Sequence, residues 1–186
     1  MTYKTRNFPE FSACGLNCGL CPNYFKHTNG AFKCPGCAGA GFSDVHPACA
    51  VLTCCQKKGL EYCWHCGEYP CKRYDNADTG DSFITHKNQL RDIEKVKQIG
   101  INGYISEQNE KIAILQNLLA NFNDGRKKSF FCVAVNLLQL GNLKNIMRQI
   151  ENEINPNDPI KEKAKAAARL FQAVADEQGI ELKLRK

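Results

Sequence analysis

Residues 1–80 contain no isoleucine, only two valines (Val45, Val51) and only four leucines (Leu16, Leu20, Leu52, Leu60). A stretch so poor in branched aliphatics cannot close an ordinary hydrophobic core, because the apolar area to be buried is missing. Nowhere do about 18 consecutive apolar residues occur, which excludes a membrane-spanning helix. Met1–Phe11 is polar and charged, with no apolar run of signal-peptide length, so the expected setting is cytoplasmic. The chain also lacks internal repeats and low-complexity tracts. No Ser/His/Asp or Cys/His grouping can be assembled from it, so no catalytic residue and no organic cofactor site is assigned, and a non-enzymatic role is favoured over an enzyme.

What the first 80 residues do have is sulfur. Eleven of the twelve cysteines lie between Cys14 and Cys71, with nine of the fourteen glycines and five of the seven prolines on the same side of residue 80. Cys18/Cys21, Cys34/Cys37 and Cys63/Cys66 are Cys-x-x-Cys knuckles, the spacing that lets one tight turn aim two thiolates at a soft cation. Disulfides do not persist in a reducing compartment, so thiols paired this way read as metal ligands. A structural zinc contributes about 10–16 kcal/mol, comparable with the roughly 5–15 kcal/mol stability of a whole domain. Bound ions can therefore stand in for the missing core, with Phe11, Tyr24, Phe25, Phe32, Phe42, Tyr62, Trp64, Tyr69 and Tyr74 covering the knuckles.

In order, the candidate ligands are Cys14-x3-Cys18-x2-Cys21-Pro22, Cys34-Pro35-Gly36-Cys37, Cys49-x4-Cys54-Cys55 and Cys63-x2-Cys66-Gly67-x2-Pro70-Cys71. The six knuckle cysteines come first, followed by Cys14, Cys49, Cys54 and Cys71. Three partitions are open: two four-cysteine zincs with spare thiols, a four-cysteine site beside a six-cysteine binuclear cluster, or three sites that recruit a histidine. Two or three zinc ions are expected. Gly67 is expected at positive φ, turning backbone N–H groups toward sulfur, and Pro35-Gly36 preforms the second knuckle. The surplus of thiolates favours closed, structural sites over an open catalytic one.

The formal charge of +6 invites a nucleic-acid reading, but each four-thiolate zinc carries about −2, so two of them lower the total to about +2. Arg126-Lys127-Lys128, Lys57-Lys58 and Lys72-Arg73 are then ordinary solvated faces, with nucleic-acid binding through zinc knuckles kept as a second alternative and a protein partner left open.

Residues 81–186 carry 12 Ile, 11 Leu and 4 Val and read as helices. One is expected from an N-cap at Asp81 or Ser82 to a stop at Gly100. After an Ile101-Asn102-Gly103 turn, a second runs from Tyr104 to Phe122, its buried face including Tyr104, Ile105, Gln108, Ile112 and Leu115, with Glu107, Glu110 and Lys111 opposite. A short apolar helix follows over Phe130–Leu138, then one over Leu143–Ile150, then one from Ile160 to Val174 with Pro159 in its first turn. Ile180, Leu182 and Leu184 alternate with charges, as in a short edge strand or an extended arm. The expected fold is mostly α: a loop-rich cysteine/zinc-knuckle lobe, 1–80, packed on a helical lobe, 81–186.

The motifs Cys14-Gly15-Leu16-Asn17-Cys18-Gly19-Leu20-Cys21-Pro22 and Cys63-Trp64-His65-Cys66-Gly67-Glu68-Tyr69-Pro70-Cys71 resemble those that open and close the bacterial and archaeal domain of unknown function 3795, with Cys34, Cys37, Cys49 and Cys54 matching its intermediate cysteines. The likeness is closest over residues 14–74 and extends more weakly to Cys132, about three quarters of the chain. It implies a cysteine-rich metal-binding protein; Cys55 departs from the pattern. Cys14-x3-Cys18-x2-Cys21 also has radical S-adenosylmethionine spacing, but no barrel of alternating strands and helices follows it. An iron–sulfur electron-transfer protein is the main alternative, since Cys21-Pro22 and thiolate clusters serve iron as well as zinc. No βαβ context supports a thioredoxin-like pair. His65 and His46 are expected near the knuckles as surface or ligand-supporting groups, His27 and His86 have no spacing partner, and Cys132 reads as a small core residue.

Overall fold

The computed structural model describes residues 4–25, 33–75 and 79–185; Phe32 and His27, named above, lie outside them. Among the described residues there are helices and loops and no strand. The chain forms two compact units, one of residues 1–105 with 185–186, the other of residues 106–184. No helix among the described residues is long and apolar enough to cross a membrane.

In the first unit the cysteine-rich loops carry two short helices, α1 (Phe42–Val45) and α2 (Ala50–Lys57). Cys49 is the N-cap of α2. The far end of α2 closes on Gly59 at φ 67°, with Gly59 N–H donating to Gln56 O (3.2 Å) and Leu60 N–H to Cys55 O (2.8 Å), a terminus that requires a left-handed residue. Helix α3 (Gln89–Asn121) is interrupted at Gly100, whose φ of 75° and ψ of 160° are not helical. Glycine therefore breaks the helix where a stop is expected, but the chain resumes helically at once, so Ile101-Asn102-Gly103 is helix and not a turn.

The segment of α3 up to Ile105 supplies the aliphatics that residues 1–80 lack. Ile93 is fully buried among Ala13, Leu52, Phe42 and the cysteines, while Val96, Tyr104 and Ile105 close on Phe11 and Tyr62. Asn17 lies beneath the first knuckle, donating to Asp92 (2.8 Å) and accepting from the Tyr104 hydroxyl (2.9 Å).

Neither Asp81 nor Ser82 caps α3, which begins eight residues after Asp81. The Asp81 carboxylate instead accepts the His86 N–H (2.7 Å), the Arg185 N–H (2.8 Å) and the Arg185 guanidinium (2.9 Å). The tail is an extended arm rather than an edge strand, with Leu182 buried and Arg185 held at Asp81.

The second unit contains α4 (Lys128–Leu137), α5 (Leu140–Glu153) and α6 (Ile160–Glu177) with the remainder of α3. The apolar Phe130–Leu138 run is helical, and Cys132 is a buried core residue in it. Phe131 meets Phe171 edge-on at 5.7 Å. Asn123 Oδ1 accepts the N–H of Gly125 and of Lys127 (3.2 Å each), turning the chain out of α3 into α4. Lys111, expected on the exposed face, is 4% exposed, and its ammonium donates to Leu138 O (2.8 Å) near the C-terminus of α4. Carbonyls at a helix C-terminus lack intrahelical donors and draw in a cation that helical periodicity alone places outside.

Burial by itself would raise the Asp81 carboxyl, but the hydrogen bonds from Arg185 and the two backbone N–H groups outweigh it and hold the carboxyl below its ordinary range. A depressed carboxyl adds stability that is complete above the unfolded value of about 3.9 and is lost as pH falls through the lower folded value. Asp81→Asn is expected to cost about 1.5–3 kcal/mol at pH 7, the range for hydrogen bonds to a charged group. The difference between variant and parent should shrink below pH 3 in urea titrations.

Candidate functional site

Two of the three knuckles share one backbone device. Cys18–Leu20 and Cys63–His65 are single 3-10 turns, and in each the N–H of the second cysteine donates to the carbonyl of the first, Cys21 to Cys18 and Cys66 to Cys63, both at 3.1 Å. Such a turn brings both side chains of a Cys-x-x-Cys to one side. The Cys34–Cys37 knuckle is built differently: Gly36 stands at φ 82°, and the Cys37 N–H donates to Pro9 O at 2.6 Å. Gly67 is not at positive φ, contrary to expectation. Its neighbour provides the N–H instead, since the Glu68 backbone donates to the Cys66 sulfur.

None of the twelve cysteines is joined in a disulfide. The eleven N-terminal ones sort into two groups. The first holds Cys14, Cys18, Cys21, Cys34, Cys37 and Cys49. Burial pushes the Cys14 thiol up to about 12, aided by the charges of Cys37 and Cys49 and opposed by the hydrogen bond from Ser12 (3.0 Å). Cys18 is raised well above its ordinary value, first by burial and then by Cys37, Cys14, Cys21 and Cys34. Burial also raises Cys37, against the nearby Arg6 charge and the Ala13 N–H.

The second group, Cys54, Cys55, Cys63, Cys66 and Cys71, lines a single open cavity of about 360 Å³ with Lys58, Glu68 and Tyr69 on its wall. Burial, with the charges of Cys63 and Cys54 and, from the first group, of Cys14, pushes Cys55 up to about 12, so the two groups adjoin. Cys66 moves the other way, lowered by the Glu68 N–H and then by the Lys58 ammonium, whose Nζ lies 3.2 Å from the sulfur and 3.1 Å from the Glu68 carboxylate. Tyr74 stands between the groups: its hydroxyl donates to Cys14 O (3.1 Å) and also bonds the Cys63 sulfur.

Ten of these eleven residues are the candidates read from the sequence. The eleventh, Cys55, falls outside the family pattern, yet it faces the same cavity. Its signal was adjacency to Cys54 on an eight-residue helix, where neighbouring positions diverge by about 100° and adjacency alone gives no direction. The histidines go elsewhere: His46 stacks on Phe42 at 4.5 Å, His65 packs edge-on to Tyr62 and Trp64, and His86 approaches Ser82.

The donor set fits a soft thiophilic ion in kind, because sulfur dominates both groups and neighbouring thiols resist ionising without a cation between them. No coordination shell is closed: among the described residues no three or more Cys, His, Asp or Glu side chains stand in metal-holding geometry. Residues 10–76 match the family model described as a protein of unknown function (DUF3795), the family the two terminal motifs resemble, over a narrower span than three quarters of the chain. No curated protein and no solved structure matches.

A Cβ at Gly36 would meet Pro9 O at 2.2 Å in a backbone already at φ 82°, whereas one at Gly67 would meet nothing within 4 Å. Gly36→Ala should therefore destabilise the first unit by at least about 1–3 kcal/mol, the scale of one strained residue, while Gly67→Ala should be nearly neutral. Thermal melts followed by tryptophan fluorescence distinguish them, since the only tryptophan, Trp64, lies in that unit.

Proposed function

We propose that the protein is a cytoplasmic zinc-binding module in which the metal is structural and the folded surface serves as a scaffold for a partner. The observation that carries this reading is the sorting of eleven thiols into two groups inside a unit that has almost no aliphatic side chains of its own before residue 80. Cys14, Cys18, Cys21, Cys34, Cys37 and Cys49 would hold ions in the first group, and Cys54, Cys63, Cys66 and Cys71, with Cys55 beside them, in the second. The grouping supports the partition into a six-sulfur and a four-sulfur site over two equal sites with spare thiols. Bound there, zinc would neutralise adjacent thiolates and cross-link loops that few other contacts order. Nothing in the chemistry of either group calls for turnover.

The test is elemental analysis of full-length protein purified without oxygen, followed by chelation under reducing conditions. Stoichiometric zinc in a colourless sample is expected. Its removal should shift Trp64 emission toward that of solvated indole while much of the far-ultraviolet helical signal, which comes from α4–α6 and the end of α3, remains. A brown sample with iron and acid-labile sulfide would move the protein to the electron-transfer class. An ion-free chain that kept Trp64 packed on Phe11 and Tyr62 and melted cooperatively would overturn the reading.

A further inference from the structure

One lysine on the wall of the second group's cavity holds its nitrogen against a sulfur. Lys58 is the C-cap of α2, and Cys66 is the C-cap of the 3-10 turn Cys63–His65. Lys58 Nζ lies 3.2 Å from the Cys66 sulfur and 3.1 Å from a carboxylate oxygen of Glu68. All three residues line the open cavity, and the Lys58 and Glu68 side chains are 38% and 75% exposed, so small solutes reach them. As an ion pair the arrangement is worth little, because water screens both partners. Its geometry suits covalent chemistry instead. Nitrogen and sulfur already stand within the separation of about 3–3.5 Å from which bonding atoms react without further search.

An accessible cysteine sulfur is oxidised to a sulfenic acid, which condenses with a neighbouring nitrogen to a sulfenamide. We infer that Lys58 and Cys66 form a reversible oxidative cross-link, a sulfenamide between Nζ and Sγ, with hydrogen peroxide as the oxidant and Glu68 as the proton acceptor. In the first step the Cys66 S–H becomes S–OH: the O–O bond of the peroxide breaks, sulfur gives up two electrons, and one water leaves. In the second, the Glu68 carboxylate takes one proton from the ammonium, the freed lone pair attacks sulfur, and the S–O bond breaks. The departing hydroxide removes a second ammonium proton and leaves as water. Nζ keeps one hydrogen, and the proton on Glu68 passes to solvent. Two equivalents of a small thiol reverse the link, returning the Cys66 thiol and the Lys58 amine and becoming a disulfide themselves. The link ties the end of α2 to the last knuckle and withdraws Cys66 from the second group. It forms without any metal; where an ion is held there, as proposed above, oxidation takes away one of its ligands.

The experiment treats full-length protein, as purified, with hydrogen peroxide in increasing doses, alkylates the remaining thiols and digests with trypsin in the absence of reductant. A linked Lys58 resists trypsin, so a peptide running from Lys58 to Lys72 should appear, two hydrogens lighter than its unlinked form and with Cys66 unalkylated. Dithiothreitol added before alkylation should abolish it. Lys58→Arg, which keeps the charge but not the amine, should restore cleavage after residue 58, Cys66→Ser should remove the lighter peptide, and Glu68→Gln should slow its formation. Normal cleavage after Lys58 at a dose that consumes the Cys66 thiol, with Cys66 found in a disulfide or as a sulfinic acid, would overturn the inference. So would a Cys66 that stays open to alkylation at every dose. Elemental analysis of the same sample keeps the two readings apart: a link formed in protein that carries no zinc leaves this inference standing and overturns the zinc reading, whereas zinc-loaded protein without the link does the reverse.

Discussion

Thiols buried side by side each make the ionisation of the next more costly, and that crowding of sulfur sets the character of the first unit. Cys14, Cys18 and Cys37 are each raised first by burial and then by other cysteines, Cys14 by Cys37 and Cys49, Cys18 by Cys37 and Cys14, and Cys37 by Cys49. The loops holding them contain short turns fastened by single hydrogen bonds, Cys21 to Cys18 and Cys66 to Cys63, and the Cys63 N–H reaches back to Ala13 O at 2.8 Å. These fastenings set the loops near one another around a small interior in which Leu52 and Ile93 are the buried branched aliphatics. Raised in this way the thiols stay neutral, and neutral buried thiols pack as small apolar groups.

The organic part of the core comes from further along the chain. Ile93 sits so close beneath Gly15 that a Cβ there would meet its side chain at 2.5 Å. The Cys14 carbonyl accepts from Gln89 (2.7 Å) as well as from Tyr74. The first turns of α3 are thus a floor for the opening motif, and Phe11, Tyr62, Trp64 and Tyr104 form an aromatic wall, with Phe11 and Tyr104 centred 4.8 Å apart. The cysteine-rich unit consequently runs on to Ile105, past the change in composition at residue 80.

Helix content and the sulfur inventory were legible in the sequence because both rest on short-range spacing: the apolar run 130–138, the glycine break at Gly100 and the three knuckles all recur in the structure. Features set by distant partners were not. Asp81 has the composition of a helix cap, and only its encounter with Arg185, 104 residues on, removes it from that role. Lys111 sits at a polar position of its helix, yet the end of α4 draws it inward. Arg6 precedes every cysteine and belongs to no motif, so nothing local marked it as a neighbour of Cys37. The division of the sulfurs into six and five was likewise hidden, because it depends on which loops face each other.

Helix α2 touches both groups: Cys49, at its N-cap, belongs to the first, and Cys54 and Cys55, in its second turn, to the second. Five residues of helix span only about 7.5 Å, along a rod whose far end is locked by Gly59. Whatever fixes Cys49 in place therefore also fixes the bearing of Cys54 and Cys55, and the reverse holds equally. Were ions to bind as proposed, one held at either end would lower the ordering entropy left for the other.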